Sequence, residues 1–216
     1  MSTLDLTIIG VLWIFLPGFL TNTFAMMWGK WLPKTGYGPW PIDGGRVHKD
    51  GNRLLGDGKT WNGLVGGSFT AGLLAMLMTY VIGGSSPSGV QGSATFPNLY
   101  YLIEGSWLDF AGPWFATFLL GALLGLYCLI GDMTGSFFKR RKGMKREGDI
   151  SSKAPLLDTL PFAIALFALA MLTLVGTGYS SSSLLTPMLV LLVATPVLHR
   201  SFNLLGYWLG WKDVPY

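Results

Sequence analysis

The chain has 216 residues, half of them hydrophobic, 14% aromatic and only 12% charged. With a mean hydropathy of +0.47, that balance excludes a disordered chain and suits a soluble enzyme poorly. The formal charge of +4 would indicate nucleic acid if it were spread over a soluble surface, but it is concentrated in two stretches, so no nucleic-acid partner is expected.

A bilayer core takes about 20 apolar helical residues to cross, and five stretches qualify, near 4–28, 61–82, 113–131, 160–178 and 184–205. The first opens on Asp5 with no positive region before it and contains Pro17 and Asn22, which reads as a kinked span that is retained and not as a cleavable leader. Residues 29–60 follow, with Lys30, Lys34, Arg46, Lys49, Arg53 and Lys59. Asp-Gly pairs at 43–44, 50–51 and 57–58 predict turns there. Gly56-Asp57-Gly58-Lys59-Thr60 is the pointed feature of this segment. Its two glycines let backbone N–H groups approach an anion, with a Lys and a hydroxyl beside them. It is not a Walker A loop, because Arg53 stands where the first glycine belongs and no βαβ unit surrounds it. A phosphate site of another kind competes here with an ordinary solvated loop.

The second span leads into 83–112, which holds no Lys or Arg and reads as a flexible connector around Ser85-Ser86-Pro87-Ser88-Gly89. The third run carries the lone Cys128, expected as a packed core thiol. A helix continuing past it would place Asp132, Ser136, Lys139 and Arg140, at i, i+4, i+7 and i+8, on one face. A second basic loop, about 136–157, includes Arg141, Lys142, Lys145, Arg146 and Lys153. Arg141, Lys142 and Arg146 fall off the Asp132 stripe and are expected to meet anionic headgroups. Asp158 opens the fourth run, and Pro187 and Pro196 interrupt the fifth.

Thirteen of the fifteen cations lie in the two basic loops, and the other two, Arg200 and Lys212, lie near the C-terminus. The positive-inside rule therefore predicts an all-α integral membrane protein of one polytopic domain, residues 1–216, with five transmembrane helices. Its N-terminus is outside and its C-terminus inside. Aromatic belts agree, with Trp28, Trp31, Trp61, Trp208 and Trp211 at the inner boundary and Tyr100, Tyr101, Trp107, Trp114 and Tyr179 at the outer. The pairs Gly63/Gly67, Gly121/Gly125 and Gly131/Gly135 suit close helix packing within the chain, or else a homodimer face.

This topology brings Asp132 and Asp158 to one membrane face. Carboxylates at such a depth are costly, and they either pair with a Lys or hold Mg²⁺ together with substrate phosphates. With no Ser-His-Asp arrangement evident, phosphoryl or nucleotidyl transfer is the chemistry that cations and carboxylates at one membrane face suit best.

The segment Gly131-Asp132-Met-Thr-Gly-Ser136-Phe-Phe-Lys139-Arg140, then Lys145 and Leu156-Leu157-Asp158, resembles the signature of CTP:phosphatidate cytidylyltransferases. Lys59-Thr60-Trp61-Asn62-Gly63 with Gly66-Gly67 is similar to a second segment of those enzymes. Pro41-Ile42-Asp43-Gly44-Gly45-Arg46, the short chain and the five spans look closer still to the archaeal CDP-archaeol synthases. Lys153-Ala154-Pro155 stands where the bacterial signature has His-Gly-Gly, and Thr159 and Pro161 stand in place of an Arg and a second Asp.

The resemblance implies a membrane enzyme, its active site facing the cytoplasm from the cell membrane, that condenses CTP with a lipid phosphate and releases pyrophosphate. The archaeal branch implies unsaturated archaetidic acid as that lipid, and the bacterial branch implies phosphatidate. Mg²⁺ held by Asp132 and Asp158 would neutralise charge, with Lys59 and Lys139 completing the catalytic set. Asp57, Gly58, Lys59 and Thr60 from the first loop, and Ser136, Lys139 and Arg140 from the third helix, would hold the nucleotide. Arg46 and Arg53 are weaker candidates for the same task. A CDP-alcohol phosphotransferase is the nearest rival, since Asp43-Gly44 matches only the start of that family's motif. A transporter is disfavoured because the ionisable groups gather at one face and not at mid-membrane.

Overall fold

In the computed structural model, residues 6–144, 155–177 and 184–208 are described, except for the side chains of 155–159, 198–200, 202–203 and 205–206. Five helices account for most of them: α1 (Ile8–Trp31), α2 (Trp61–Gly83), α3 (Pro113–Arg141), α4 (Pro155–Thr173) and α5 (Leu185–Trp208). No strand forms among these residues; Pro41 with Thr60, Val47 with Arg53 and Gly92 with Pro97 make isolated bridges only. Three helical stretches, Ile8–Thr35, Trp61–Gly83 and Pro113–Arg141, are long and apolar enough to cross a membrane, while α4 and α5 contribute the shorter apolar stretches Leu160–Thr173 and Leu185–Val197.

The helix ends follow local chemistry. Thr7 caps α1 by accepting the Gly10 N–H at 3.0 Å, and Thr60 caps α2 by accepting the Gly63 N–H at 3.1 Å, each satisfying a donor the helix leaves unpaired. Pro113 begins α3 where a missing N–H costs nothing. Lys139, Arg140 and Arg141 close it where cations meet the negative end of the helix dipole.

Glycine sets how closely the helices approach. α3 lies centrally and packs on α1, α2 and α4. A Cβ on Gly121 would sit 2.5 Å from the Ala71 carbonyl oxygen, and one on Gly131 would sit 2.3 Å from that of Pro161. Gly63 and Gly67 likewise take the backbone of Ala25 in α1, and Gly66 takes the Trp28 ring. In a bilayer, where apolar burial gives helices no preference for one another over lipid, such close backbone contact is a main source of association. These glycine spacings are thus used within the chain. Cys128 is fully buried beside Phe162 and Ala163, as a core thiol should be.

The segment 83–112 corrects the expectation of a flexible connector. Leu99, Ile103 and Leu108 are fully buried and belong to the same core as Ile14, Phe15 and Leu120. Buried Asn98 organises the backbone around them, donating to the carbonyls of Pro87 at 2.9 Å and Val90 at 2.8 Å and accepting from the Tyr100 N–H at 3.1 Å. Trp13 donates to the Pro97 carbonyl and Trp107 to that of Thr173, which ties the segment to α1 and α4. Tyr100 is buried, with its hydroxyl on Asp109 at 2.8 Å, and is not an exposed member of an aromatic belt. Burial, followed by the Asp109 contact, pushes its phenol up to about 12. The segment forms a folded cap over one end of the bundle.

Candidate functional site at the basic end of the bundle

At the opposite end, the C-termini of α1 and α3 and the N-termini of α2 and α4 come together, and residues 36–60 fold over them. The strand-like contacts of this segment are few. Ile42 donates to the Lys59 carbonyl at 2.8 Å and Trp61 to that of Trp40 at 2.9 Å, which closes its base. His48 to Asn52 and Leu54 to Arg46 close a small hairpin within it.

Asp43 holds this loop in shape. Its carboxylate is almost wholly buried and takes a forked contact from Arg53, Nη2 to Oδ1 at 2.6 Å and Nε to Oδ2 at 3.3 Å. It also accepts the N–H groups of Gly45, Leu55 and Gly56 at 3.0 to 3.1 Å. Burial alone would raise its pKa, but Arg53 and the three backbone donors outweigh burial and hold it well below the ordinary carboxylate range. Arg53 Nη1 reaches Asp57 at 2.7 Å as well. The Asp-Gly pair at 43–44 is therefore a structural centre as well as a turn, and the Arg53 guanidinium binds two carboxylates of its own loop.

Two stretches far apart in sequence meet here. The Lys59 ammonium pairs with the Asp132 carboxylate across 73 positions. Gly56, at φ +90°, faces Arg140: a Cβ there would stand 3.2 Å from Arg140 Nε. Positive φ combined with this close approach makes glycine the fitting residue. Arg140 also donates to the Met144 carbonyl, closing the end of α3. α3 is continuous through Arg141, so Asp132, Ser136, Lys139 and Arg140 share one helix; Ser136 and Lys139 are buried, and Lys139 is engaged in a contact of its own.

Other residues singled out from the sequence take different places. Thr60 is occupied as the cap of α2, and the Asn62 amide donates to the Tyr37 carbonyl at 3.1 Å. Arg46, Asp57 and Gly58 are exposed at the loop surface. Asp158 lies in the first turn of α4, and its side chain is outside the described residues, as are Lys145, Arg146 and Lys153. The backbone still locates it: Gly131 of α3 meets Pro161 of α4, and three residues of helix rise about 4.5 Å. That sets the Asp158 backbone near the Asp132 level of the antiparallel pair. Among the described residues no group of three or more His, Cys, Asp or Glu gathers as a metal site. An open groove of about 440 Å³ runs beside the cluster between α3 and α4, lined by Gly131, Thr134, Phe138, Leu160, Pro161, Ile164 and Ala165. Being almost wholly apolar, it offers little to a phosphate.

Arg141 is the second correction. It does not face outward to headgroups: it pairs with Asp50 at 2.9 Å and donates to the carbonyls of Arg53 at 2.6 Å and Asn52 at 3.4 Å. The contacts of Arg141 and Asp43 were not foreseen in the sequence, because the partners of Arg141 lie some 90 residues away and the partner of Asp43 is an arginine ten positions on.

Long apolar helices packed through glycine, with ionic residues drawn from two loops to one end, define a polytopic membrane protein whose polar chemistry sits at the end of its bundle. The chain belongs to the CDP-archaeol synthase family. The CarS-like CDP-archaeol synthase profile matches residues 3–102 and 86–216. The chain is 40% identical over 204 residues to a CDP-archaeol synthase of Methanospirillum hungatei, covering 93% of this chain and 99% of that one. It is 36% identical over 203 residues to one of Methanosarcina acetivorans, covering 93% and 99%. It is 36% identical over 205 residues to one of Thermococcus gammatolerans, covering 95% and 94%. A solved structure of an intramembrane enzyme for archaeal membrane lipids biosynthesis is similar at a TM-score of 0.59 and 28% identity, covering 91% of this chain and 94% of that one.

Proposed function

We propose that the protein is a membrane cytidylyltransferase that condenses CTP with unsaturated archaetidic acid to give CDP-archaeol and pyrophosphate. The observation that carries the reading is the meeting of Lys59 with Asp132 and of Gly56 with Arg140, which joins the two motif-bearing stretches at one end of the bundle. The names of the relatives, CDP-archaeol synthase, agree with it.

In this reaction an ionised oxygen of the lipid phosphate attacks the α-phosphorus of CTP, the bond to the β-phosphate breaks, and pyrophosphate leaves with the electron pair. That oxygen is already anionic at neutral pH, so no general base is needed. Lys59 and Arg140 would bind triphosphate oxygens by charge-assisted hydrogen bonds, which strengthen as charge develops. Lys139 lies buried on the same helix, one residue before Arg140. Gly58 would offer its backbone N–H at the turn before Lys59, while Asp57 steadies Arg53.

A divalent cation suits the donor type at this site: Asp132 is a partly exposed carboxylate, and Mg²⁺ takes one or two protein carboxylates and completes its shell with phosphate and water. Asp132 and Asp158 would hold it, and its chemistry there is neutralisation of phosphate charge. We further infer a single domain of five spans in the cell membrane, with the basic end, including loops about 29–60 and 136–157, in the cytoplasm.

The test is a substrate screen with the purified protein in vesicles and Mg²⁺, pairing each nucleoside triphosphate with unsaturated archaetidic acid or with diacyl phosphatidate. CTP with the prenyl lipid should release pyrophosphate fastest. Preference for phosphatidate would move the protein to the bacterial specificity, and consumption of a CDP-lipid instead of CTP would overturn the reading.

A further inference from the structure

Arg141 closes α3 and is mostly buried, yet nearly everything it contacts lies on the 36–60 loop. One Nη donates to Asp50 Oδ1 at 2.9 Å, and the other donates to the Arg53 carbonyl at 2.6 Å and the Asn52 carbonyl at 3.4 Å. The guanidinium lies over the Phe137 ring of its own helix, 5.1 Å from the centroid. Its Nε is buried without a partner among the described residues. A planar guanidinium between an aromatic face and two backbone carbonyls is held in orientation as well as position, which an ammonium does not achieve.

The residues it grips lead directly to the nucleotide-facing turn. Arg53, whose carbonyl Arg141 binds, carries the side chain that joins Asp43 and Asp57, and Asp43 in turn fixes the N–H groups of Leu55 and Gly56. Three residues on stands Lys59, paired with Asp132 of α3. The loop is thus attached to α3 by Arg141 at its tip and by Lys59 near its base, with Gly56 against Arg140 between them. We propose that Arg141 is a positioning residue that docks the 36–60 loop on α3 and so sets the distance between Lys59 and Arg140 across which CTP is held. The proposal rests on the reading of those two cations as the triphosphate grip, and Arg141 itself need touch no substrate.

The experiment compares Arg141→Gln, Arg141→Lys and Asp50→Asn with the parent protein, full length and in vesicles, by steady-state kinetics against CTP and against the lipid phosphate. Hydrogen exchange of the amides of residues 46–58 is followed in parallel. Arg141→Gln loses one charge-assisted pair and two carbonyl contacts, so the KM for CTP should rise about tenfold or more. The KM for the lipid, and kcat at saturating CTP, should stay within about twofold, and exchange in 46–58 should quicken. Arg141→Lys should recover part of the CTP affinity by keeping the charge on Asp50, and Asp50→Asn should show a smaller defect of the same kind. Should Arg141→Gln fail to fold, those two milder variants carry the same comparison. An unchanged KM for CTP in the folded variants, or an equal loss for both substrates together with kcat, overturns the positioning role while the parent enzyme still turns over CTP. A parent protein with no CTP-dependent turnover refutes the functional reading itself, and exchange in 46–58 that ignores Arg141 then refutes the docking contact separately.

Discussion

Asp43 and Lys59 show how two residues of one loop divide their contacts, Asp43 within the loop and Lys59 across to α3. Asp43 receives five hydrogen bonds, two from Arg53 and three from backbone, all from its own loop. Asp43→Asn keeps the shape but removes the charge facing Arg53 and costs roughly 3–5 kcal/mol, the usual effect of breaking a buried pair. The loss should appear as opening of the loop, read by amide exchange of 45–56, more than as a lower melting temperature. Because its folded pKa is depressed, the contribution is complete above the unfolded value near 3.9 and fades as pH falls toward the folded one. Loop exchange should therefore show no Asp43-dependent change from pH 8 to 5, and a midpoint near 6 would contradict this account. Lys59→Ala should instead raise the CTP requirement by one to two orders of magnitude, since a hydrogen bond to a charged group is worth roughly 1.5–3 kcal/mol. CTP saturation curves decide it. Lys59 drew notice in the sequence because Gly56 and Gly58 precede it, although its pairing with Asp132 is visible only in the fold. The contacts of Asp43 were not foreseen, because what sets it apart from its neighbouring Asp-Gly turns is an arginine ten positions on.

Among the elements, α3 is the one on which the others depend, and its glycines fix the distances. Gly131→Ala would push a methyl into the Pro161 carbonyl and the Phe162 backbone, contacts of 2.3 and 2.5 Å that no side-chain rotation relieves. It should cost about 1–3 kcal/mol by overpacking. It should also shift the Asp158 end of α4 relative to Asp132, so that turnover falls more than stability does. Thermal unfolding in detergent alongside kcat measures both, and full activity with an unchanged melting temperature would show that the helices do not meet there. The five helices of the described residues were readable from apolar runs, three of them long and apolar enough to cross a membrane. α3 runs ten residues past its apolar part, as the stripe of Asp132, Ser136, Lys139 and Arg140 required, and cations at a helix C-terminus favour that continuation. The 83–112 cap was misread because its serines and glycines are conspicuous, while Leu99, Ile103 and Leu108 are scattered and show their purpose only when packed.

For the whole molecule, the distribution of cations and the packing agree on a bundle with one basic end and one end covered by a folded cap. Cysteine labelling at residue 88 should be accessible from outside the cell and at 145 only from the cytoplasm; reactivity of both from the same side would contradict the topology. The charge map anticipated that the first basic loop and the end of α3 share one end of the bundle, whereas the contacts between them were not anticipated, because a charge map says nothing of pairing. The claim that this end transfers the cytidylyl group is tested most directly by following the phosphorus atoms of CTP. Vesicles holding the protein, Mg²⁺ and unsaturated archaetidic acid would receive CTP labelled at the α-phosphorus or, separately, at the γ-phosphorus. The account predicts α-label in the lipid fraction and γ-label in released pyrophosphate, with both signals falling by several orders of magnitude in Asp132→Asn. Label entering the lipid from the γ-position, or full α-transfer by Asp132→Asn, would contradict it.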